Sequence, residues 1–343
     1  MLVVRAGIVA ALLLCGCSMH AAYPNVHEEE VRFRNGDVTL AGTLYLPAGG
    51  APHPAVVIFH GSGPQARDSF MGHWFAEQGI ACLTYDKRGV GESTGDFQRV
   101  AFPALVDDGL AAISFLKTRA GIDPHRIGVW GLSQGGWLGP LAASRSKDVA
   151  FVIAVSGPGV SPGEQMIFYY GNQLRDRGLT ELQVAEAGDL RRQVWHYLST
   201  GEGYAAADKT LHRAESQPWF AAIQEQQDGL FHRTPVSGIL KDSSLREQLW
   251  FKAEVNYDPR IALRKLTVPV LFVFGEKDQL VPVQTSIDII RRTLTESGHR
   301  DFTIKTFPGA DHGIRLESFD GRGPFAPGYL QTMSDWVHSK VSR

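Results

Sequence analysis

Six short strand-like runs, at residues 55–59, 81–85, 127–130, 151–155, 270–274 and 303–307, are set off by glycine or proline, and helical patterns such as 105–119 and 283–297 lie between them. Runs of that length suit strands covered on both faces, and a parallel neighbour is reached only through a crossover, so the alternation predicts an α/β protein with a parallel sheet. Upstream, residues 31–33 and 40–46 flank the turn signal Asn35-Gly36-Asp37, which reads as a hairpin at the sheet edge. One spacing breaks the rhythm. Roughly a hundred residues separate Gly157 from Pro259, far beyond an ordinary connection, and predict an inserted subdomain. Within it Thr180-Glu181-Leu182-Gln183 has the form of a capping box, Leu190, Val194, Tyr197 and Leu198 share a helical face, and Gly201 can stop that helix. The insertion therefore reads as a helical cap.

Composition excludes some functions. At 343 residues, 43% hydrophobic, the chain has ample apolar material for a core and is no disordered protein. Lys plus Arg number 34 against 36 Asp plus Glu, with no block of one sign, which speaks against nucleic-acid binding through a basic footprint. The N-terminus carries Arg5, the apolar run 8–14 and then small residues, the layout of an export signal too short to span a bilayer. Leu14-Cys15-Gly16-Cys17 resembles the bacterial lipoprotein box, which makes Cys17 the expected lipid attachment and first residue of the mature chain. Plain secretion is the alternative. On this reading residues 1–17 are the signal peptide and 18–28 a tether, and the protein is exported and membrane-anchored. The last of the three cysteines, Cys82, lies in an apolar run and is expected to be buried and inert.

Gly-x-Ser-x-Gly occurs three times, around Ser133, Ser93 and Ser161, and the bare pattern discriminates weakly. A nucleophilic serine on a strand-to-helix turn needs a strand before it, a helix after it, and an N–H on the next residue to hold an oxyanion. Ser161 is followed by Pro162, which has no N–H. Ser93 sits in a Gly-rich loop. Ser133 directly follows the strand 127–130 and precedes Gln134-Gly135-Gly136, so it is the predicted nucleophile.

A serine hydroxyl needs a base, and the base an orienting carboxylate. Downstream, the run 270–274 leads into Gly275-Glu276-Lys277-Asp278, and 303–307 leads into Pro308-Gly309-Ala310-Asp311-His312-Gly313. Both are loops after strand C-termini, at the same sheet edge as Ser133. Asp278 is the predicted acid, with Glu276 as competitor and Asp311 adjacent to the base; His312 is the predicted base. His299 precedes its strand, and His196, His212 and His232 fall in the insertion. For the oxyanion, Ser62 N–H in His60-Gly61-Ser62-Gly63-Pro64 is paired with Gln134 N–H, and Gly61 is the fallback. His60 is expected to brace the loop.

His60-Gly61-Ser62-Gly63-Pro64, Tyr85-Asp86-Lys87-Arg88-Gly89-Val90-Gly91-Glu92-Ser93, Gly131-Leu132-Ser133-Gln134-Gly135-Gly136, Phe274-Gly275 with Asp278, and Asp311-His312-Gly313 together resemble the α/β-hydrolase superfamily, in its branch of bacterial serine esterases and peptidase-like hydrolases. The resemblance covers about residues 30–343. It implies an α/β-hydrolase fold: a mostly parallel eight-stranded sheet flanked by helices, opened by an antiparallel hairpin, with the cap after the sixth strand. Core residues would be 29–157 and 259–343, and the cap 158–258. It also implies no cofactor or metal, and a structural clasp in the Asp86–Arg88 loop. The activity expected is that of a serine carboxylesterase on a small-molecule ester. Thioesterase, lactonase, peptidase and acyltransferase share the same triad, and a non-catalytic membrane-tethered binding protein is the rival of another class.

Overall fold

The computed structural model of the chain describes residues 23–50, 52–226, 230–231, 236–316 and 323–341. Cys15 and Cys17, with the rest of the predicted signal, lie outside the described residues, as does His232. Strands β1 (Val26–Asn35) and β2 (Val38–Pro47) form the expected antiparallel hairpin, turning at Gly36 with φ +57°. β1 begins at Val26, inside the stretch read as a tether.

β3 (His53–Phe59), β4 (Ala81–Tyr85), β5 (Ile122–Leu132), β6 (Val152–Val155), β7 (Val270–Gly275) and β8 (Phe302–Phe307) complete an eight-stranded sheet in the order β1-β2-β4-β3-β5-β6-β7-β8. β2 pairs antiparallel with β1 and β4, and every other pairing is parallel. Along β3 the side chains alternate between two cores. Val57 and Phe59 join the cluster built by helices α2 (Phe102–Leu116), α3 (Gly135–Arg145) and α10 (Val283–Glu296); Val56 and Ile58 join that of α1 (Ser69–Glu77) and α11 (Tyr329–Val341). Helices on both faces explain why these strands are continuously apolar. Cys82 on β4 is fully buried, and burial pushes its thiol pKa up, as expected of an inert core residue.

After β3 the chain goes to one side of that strand to make β4, then to the other side to make β5. The loops leaving the C-terminal ends of β3 and β5 therefore diverge and leave a crevice, the place where open α/β sheets bind ligands. Residues 60–65 and Ser133 occupy it.

Between β6 and β7 run α4 (Pro162–Asp176), α5 (Glu181–Thr200), α6 (Tyr204–Glu215), α7 (Phe220–Gln224) and α8 (Ser243–Glu247), then a π-helical turn at Trp250–Glu254; α9 (Pro259–Leu263) leads back to the sheet. The insertion has its own core, in which Leu174, Leu190, Val194, Leu211 and Ile223 are fully buried. Its longest helix starts as its sequence dictates: Thr180 Oγ1 accepts from Gln183 N–H while Thr180 N–H donates to Gln183 Oε1 at 2.9 Å. Gly201 ends it at φ +82°, a conformation a Cβ disfavours.

Candidate active site

Ser133 sits between β5 and α3 at φ +58°, left-handed backbone that a side chain rarely adopts. Its N–H donates to Val155 O at 2.9 Å and its carbonyl accepts from Gly136 N–H at 2.8 Å, so the turn is pinned to β6 and to the first turn of the helix. The flanking glycines are steric necessities. A Cβ on Gly131 would lie 2.3 Å from Gly135 O, one on Gly135 2.7 Å from Phe59 O, and one on Gly136 2.3 Å from Gly157 Cα. The two other serines in this pattern are engaged elsewhere. Ser93 is buried, donating to Asp86 O at 2.7 Å and accepting from Ala41 N–H. Ser161 caps α4, accepting from Glu164 N–H.

Asp278 is 4% exposed on the loop after β7. Its Oδ1 accepts from the N–H groups of Leu280 and Val281 at 2.8 and 3.0 Å, which leaves Oδ2 aimed at His312 Nδ1, 2.8 Å away. The competitors point elsewhere. Glu276 Oε2 accepts from Gly309 N–H at 2.9 Å, and Asp311 Oδ1 accepts from Gly313 and Arg315 N–H. The structure thus brings Asp278 and His312 together, and Ser133 to the same sheet edge. Among the described residues no hydrogen bond joins the Ser133 hydroxyl to His312; such bonds commonly tighten only when substrate is bound.

On the loop after β3, Gly61 N–H donates to Gln65 Oε1 at 2.8 Å, which removes the fallback oxyanion donor. Among the described residues, Ser62 N–H and Gln134 N–H donate to no protein acceptor. His60 braces the loop as expected: it is buried, and its Nε2 donates to Tyr85 O at 2.6 Å. Burial pushes its pKa down to about 4, so it is neutral at ordinary pH. A cavity of about 440 Å³ opens beside this loop, lined in part by Gly61, Arg67, Phe70 and Leu132.

The clasp is built from a part-buried ion pair, Arg67 with Asp86, and a buried one, Arg88 with Asp108. Asp86 accepts from Arg67 and from Glu92 N–H, and although burial alone would raise its pKa, these donors hold it below the usual carboxylate range. Arg88 grips Asp108 in bidentate fashion, both contacts at 2.6 Å. Sequence reasoning missed three residues that hold the site: Gln65, Lys87 and Ser156. Ser156 stands at φ +48° and donates to His312 O. The signal for it was weak, a lone serine at the end of an apolar run; Lys87 lay within a motif read only as structural.

A serine on a left-handed turn at the switch point, followed along the chain by an acid and a histidine on the loops after β7 and β8, is the plan of the α/β-hydrolases, and the protein has that fold. Residues 50–318 match the family described as Serine aminopeptidase, S33, and the chain belongs to it. It is similar to an uncharacterized 31.7 kDa protein of the traX-finO intergenic region of Escherichia coli, 26% identical over 248 residues that make up 71% of this chain and 79% of that one. It is also similar to Esterase EstD of Thermotoga maritima, 27% identical over 292 residues, or 82% of this chain and 60% of the esterase. Among solved structures, the alpha/beta hydrolase GrgF from Penicillium sp. sh18 matches with a TM-score of 0.58 at 19% identity, over 92% of this chain and 100% of that one. This last is a likeness of fold.

Proposed function

We propose that this hydrolase is a serine carboxylesterase working through an acyl-Ser133 intermediate. The observation that carries the reading is the 2.8 Å contact from His312 Nδ1 to a buried Asp278 whose other oxygen is fixed by two backbone amides. With Nδ1–H held there, Nε2 is the basic nitrogen. His312 Nε2 takes the Ser133 proton as Oγ attacks the ester carbonyl, and the oxyanion is held by Ser62 and Gln134 N–H. Collapse expels the alcohol, which receives that proton, and water releases the acid by the same route. Similarity to an esterase over most of the chain supports the ester reading. The family's description supports a second: the same steps with an amine as leaving group would cleave an N-terminal aminoacyl bond.

The helical insertion serves in this reading as the cap that selects substrates, and Cys17 as the lipid anchor of an exported protein. Hydrolysis of p-nitrophenyl acetate, butyrate, octanoate and palmitate, beside aminoacyl p-nitroanilides, tests the chemistry with Ser133→Ala as control. Ser133-dependent ester turnover supports the carboxylesterase; turnover of anilides alone replaces it with the aminopeptidase. A folded protein that neither turns over nor labels with a fluorophosphonate is a binding protein instead. Palmitate labelling of whole cells that is lost in Cys17→Ala tests the anchor.

A further inference from the structure

Lys87 is 2% exposed, and its ammonium is fully subscribed: Nζ donates to Gly61 O at 2.8 Å, to Gly63 O at 3.1 Å and to Gln134 Oε1 at 3.1 Å. An ammonium has three protons, and here each finds an acceptor. The acceptors are not arbitrary. The Gly61 carbonyl belongs to the peptide unit that carries Ser62 N–H, and in a trans peptide the C=O and N–H point in opposite directions. A cation that fixes the carbonyl therefore aims the N–H away from itself. The Gly63 carbonyl closes the other end of the same turn, with Gly63 at φ +75°. The third acceptor is the side chain of the residue whose own N–H is the second free donor. One cation thus ties the backbone of the loop that carries Ser62 N–H to the side chain of the residue that carries the other donor.

Among the described residues no carboxylate forms an ion pair with Lys87, which is unusual for a buried lysine. Glu254, from the π-helical turn of the insertion, acts on it electrostatically; His60 faces it from the loop after β3, and the ring of Phe97 lies 5.1 Å from Nζ. Burial outweighs Glu254 and pushes the Lys87 pKa down to about 8. The three hydrogen bonds, rather than a paired carboxylate, offset the cost of keeping this buried group charged.

We infer that Lys87 is a positioning residue that holds Ser62 N–H and Gln134 N–H in one frame as the oxyanion hole, and so sets the rate of attack by Ser133. The inference rests on the assignment of that hole and of the triad, not on which acyl compound is the substrate. It acts through the two amides rather than on the reacting atoms, so its loss lowers kcat and spares KM.

The test uses the full chain with Lys87→Met, which keeps the alkyl stem and removes the cation. Three quantities are read: the rate of Ser133 phosphonylation by a fluorophosphonate, kcat and KM on p-nitrophenyl butyrate, and inhibition by a trifluoromethyl ketone, whose adduct places an oxyanion in the hole. Loss of a preorganised oxyanion donor costs about 10²–10³ in rate. The phosphonylation rate, kcat and ketone affinity are expected to fall together by about that factor, with KM within about threefold. Should Lys87→Met not fold, the wild type decides. Its phosphonylation rate is expected to fall above about pH 8 as Nζ loses a donor proton, and Glu254→Gln to move that limb to lower pH. A Lys87→Met protein as reactive as wild type, or a flat wild-type rate to beyond the lysine range, overturns this inference alone. A wild type inert to the fluorophosphonate overturns the serine-hydrolase reading and this inference with it.

Discussion

The hydroxyl of Ser156 donates to the carbonyl of His312 at 2.8 Å. The preceding residue, Val155, accepts from the N–H of Ser133 at 2.9 Å, and Ser156 N–H itself donates at 2.7 Å to the carbonyl of Val273, on the strand whose following loop carries Asp278. Two adjacent residues at the end of β6 therefore hold the backbones of the proposed nucleophile and base, and tie them to the strand that delivers the acid. Geometry among three side chains from distant parts of the chain is set here by one strand end.

Ser156→Gly isolates that contact. Glycine accepts φ +48° more readily than serine does, so the backbone is not strained by the change while the hydroxyl is lost. One net hydrogen bond is worth about 1 kcal/mol, roughly fivefold in a rate. We expect kcat to drop by up to about that factor, while relief of the left-handed backbone offsets the lost bond in the folded state and leaves the melting temperature nearly unchanged. Steady-state kinetics beside a thermal melt decide it, and an unaltered kcat would remove Ser156 from the site.

Asp278→Asn should be severe although it is nearly isosteric. Two backbone N–H groups demand an oxygen at the Oδ1 position, so the new NH₂ must face His312 Nδ1 and force that nitrogen to accept. Nε2 then carries the proton and cannot act as base. A fall of about 10³–10⁴ in kcat is expected, with a native circular dichroism spectrum. Glu276→Gln, in contrast, alters a carboxylate that accepts from Gly309 N–H and makes no bond to His312 among the described residues, and kcat/KM should stay within about twofold of wild type. A large loss at Glu276 with a small one at Asp278 would reverse the assignment of the acid.

Acid should destabilise the protein through His60. Its ordinary value of 6.5 is lowered in the fold to about 4, so between those values the unfolded chain binds a proton that the folded chain does not. Folding stability then falls as pH drops through that window and levels off below it. Urea unfolding at several pH values should show the slope in wild type and a shallower one in His60→Gln. Identical slopes would mean that other groups govern the acid limb.

Asp108 and Arg88 are 2% and 7% exposed, and Asn35 Nδ2 donates at 2.8 Å to Asp108 Oδ1, the oxygen that also accepts from Arg88 Nη2. Removing the carboxylate strands a buried guanidinium, which typically costs about 3–5 kcal/mol. Asp108→Ala is expected to lower the urea midpoint accordingly. A midpoint within experimental scatter of wild type would show that water reaches Arg88.

Much of this was legible from residue order, because strand runs, glycines forced by close approach, and loops after strand ends are local signals. β5 was foreseen only from Ile127, where the continuous apolar run begins; in the fold residues 123–126 belong to the same strand and bridge a register shift against β3 between the pairs His53–Ile122 and Ala55–Ile127. Asp278 and its competitor Glu276 share one loop, and what separates them, the two amides on Asp278 Oδ1, exists only in three dimensions. Lys87 and Ser156 were illegible for the same reason. Their partners are main-chain carbonyls, which every residue has, so no residue type marks them. The insertion was legible as helical where Thr180 and Gly201 bound α5, but what it touches was not.

Two amides of α4 reach the loop that carries the proposed acid: Asn172 Nδ2 donates to Gln279 O at 2.8 Å and Gln165 Nε2 to Leu280 O at 2.6 Å. Leu280 is also one of the two residues whose N–H groups fix Asp278. The insertion is consequently not an interchangeable module. Grafting a different one onto this sheet to change substrate range would loosen the acid unless the graft brought donors for those two carbonyls, and random diversification of α4 should leave Gln165 and Asn172 fixed.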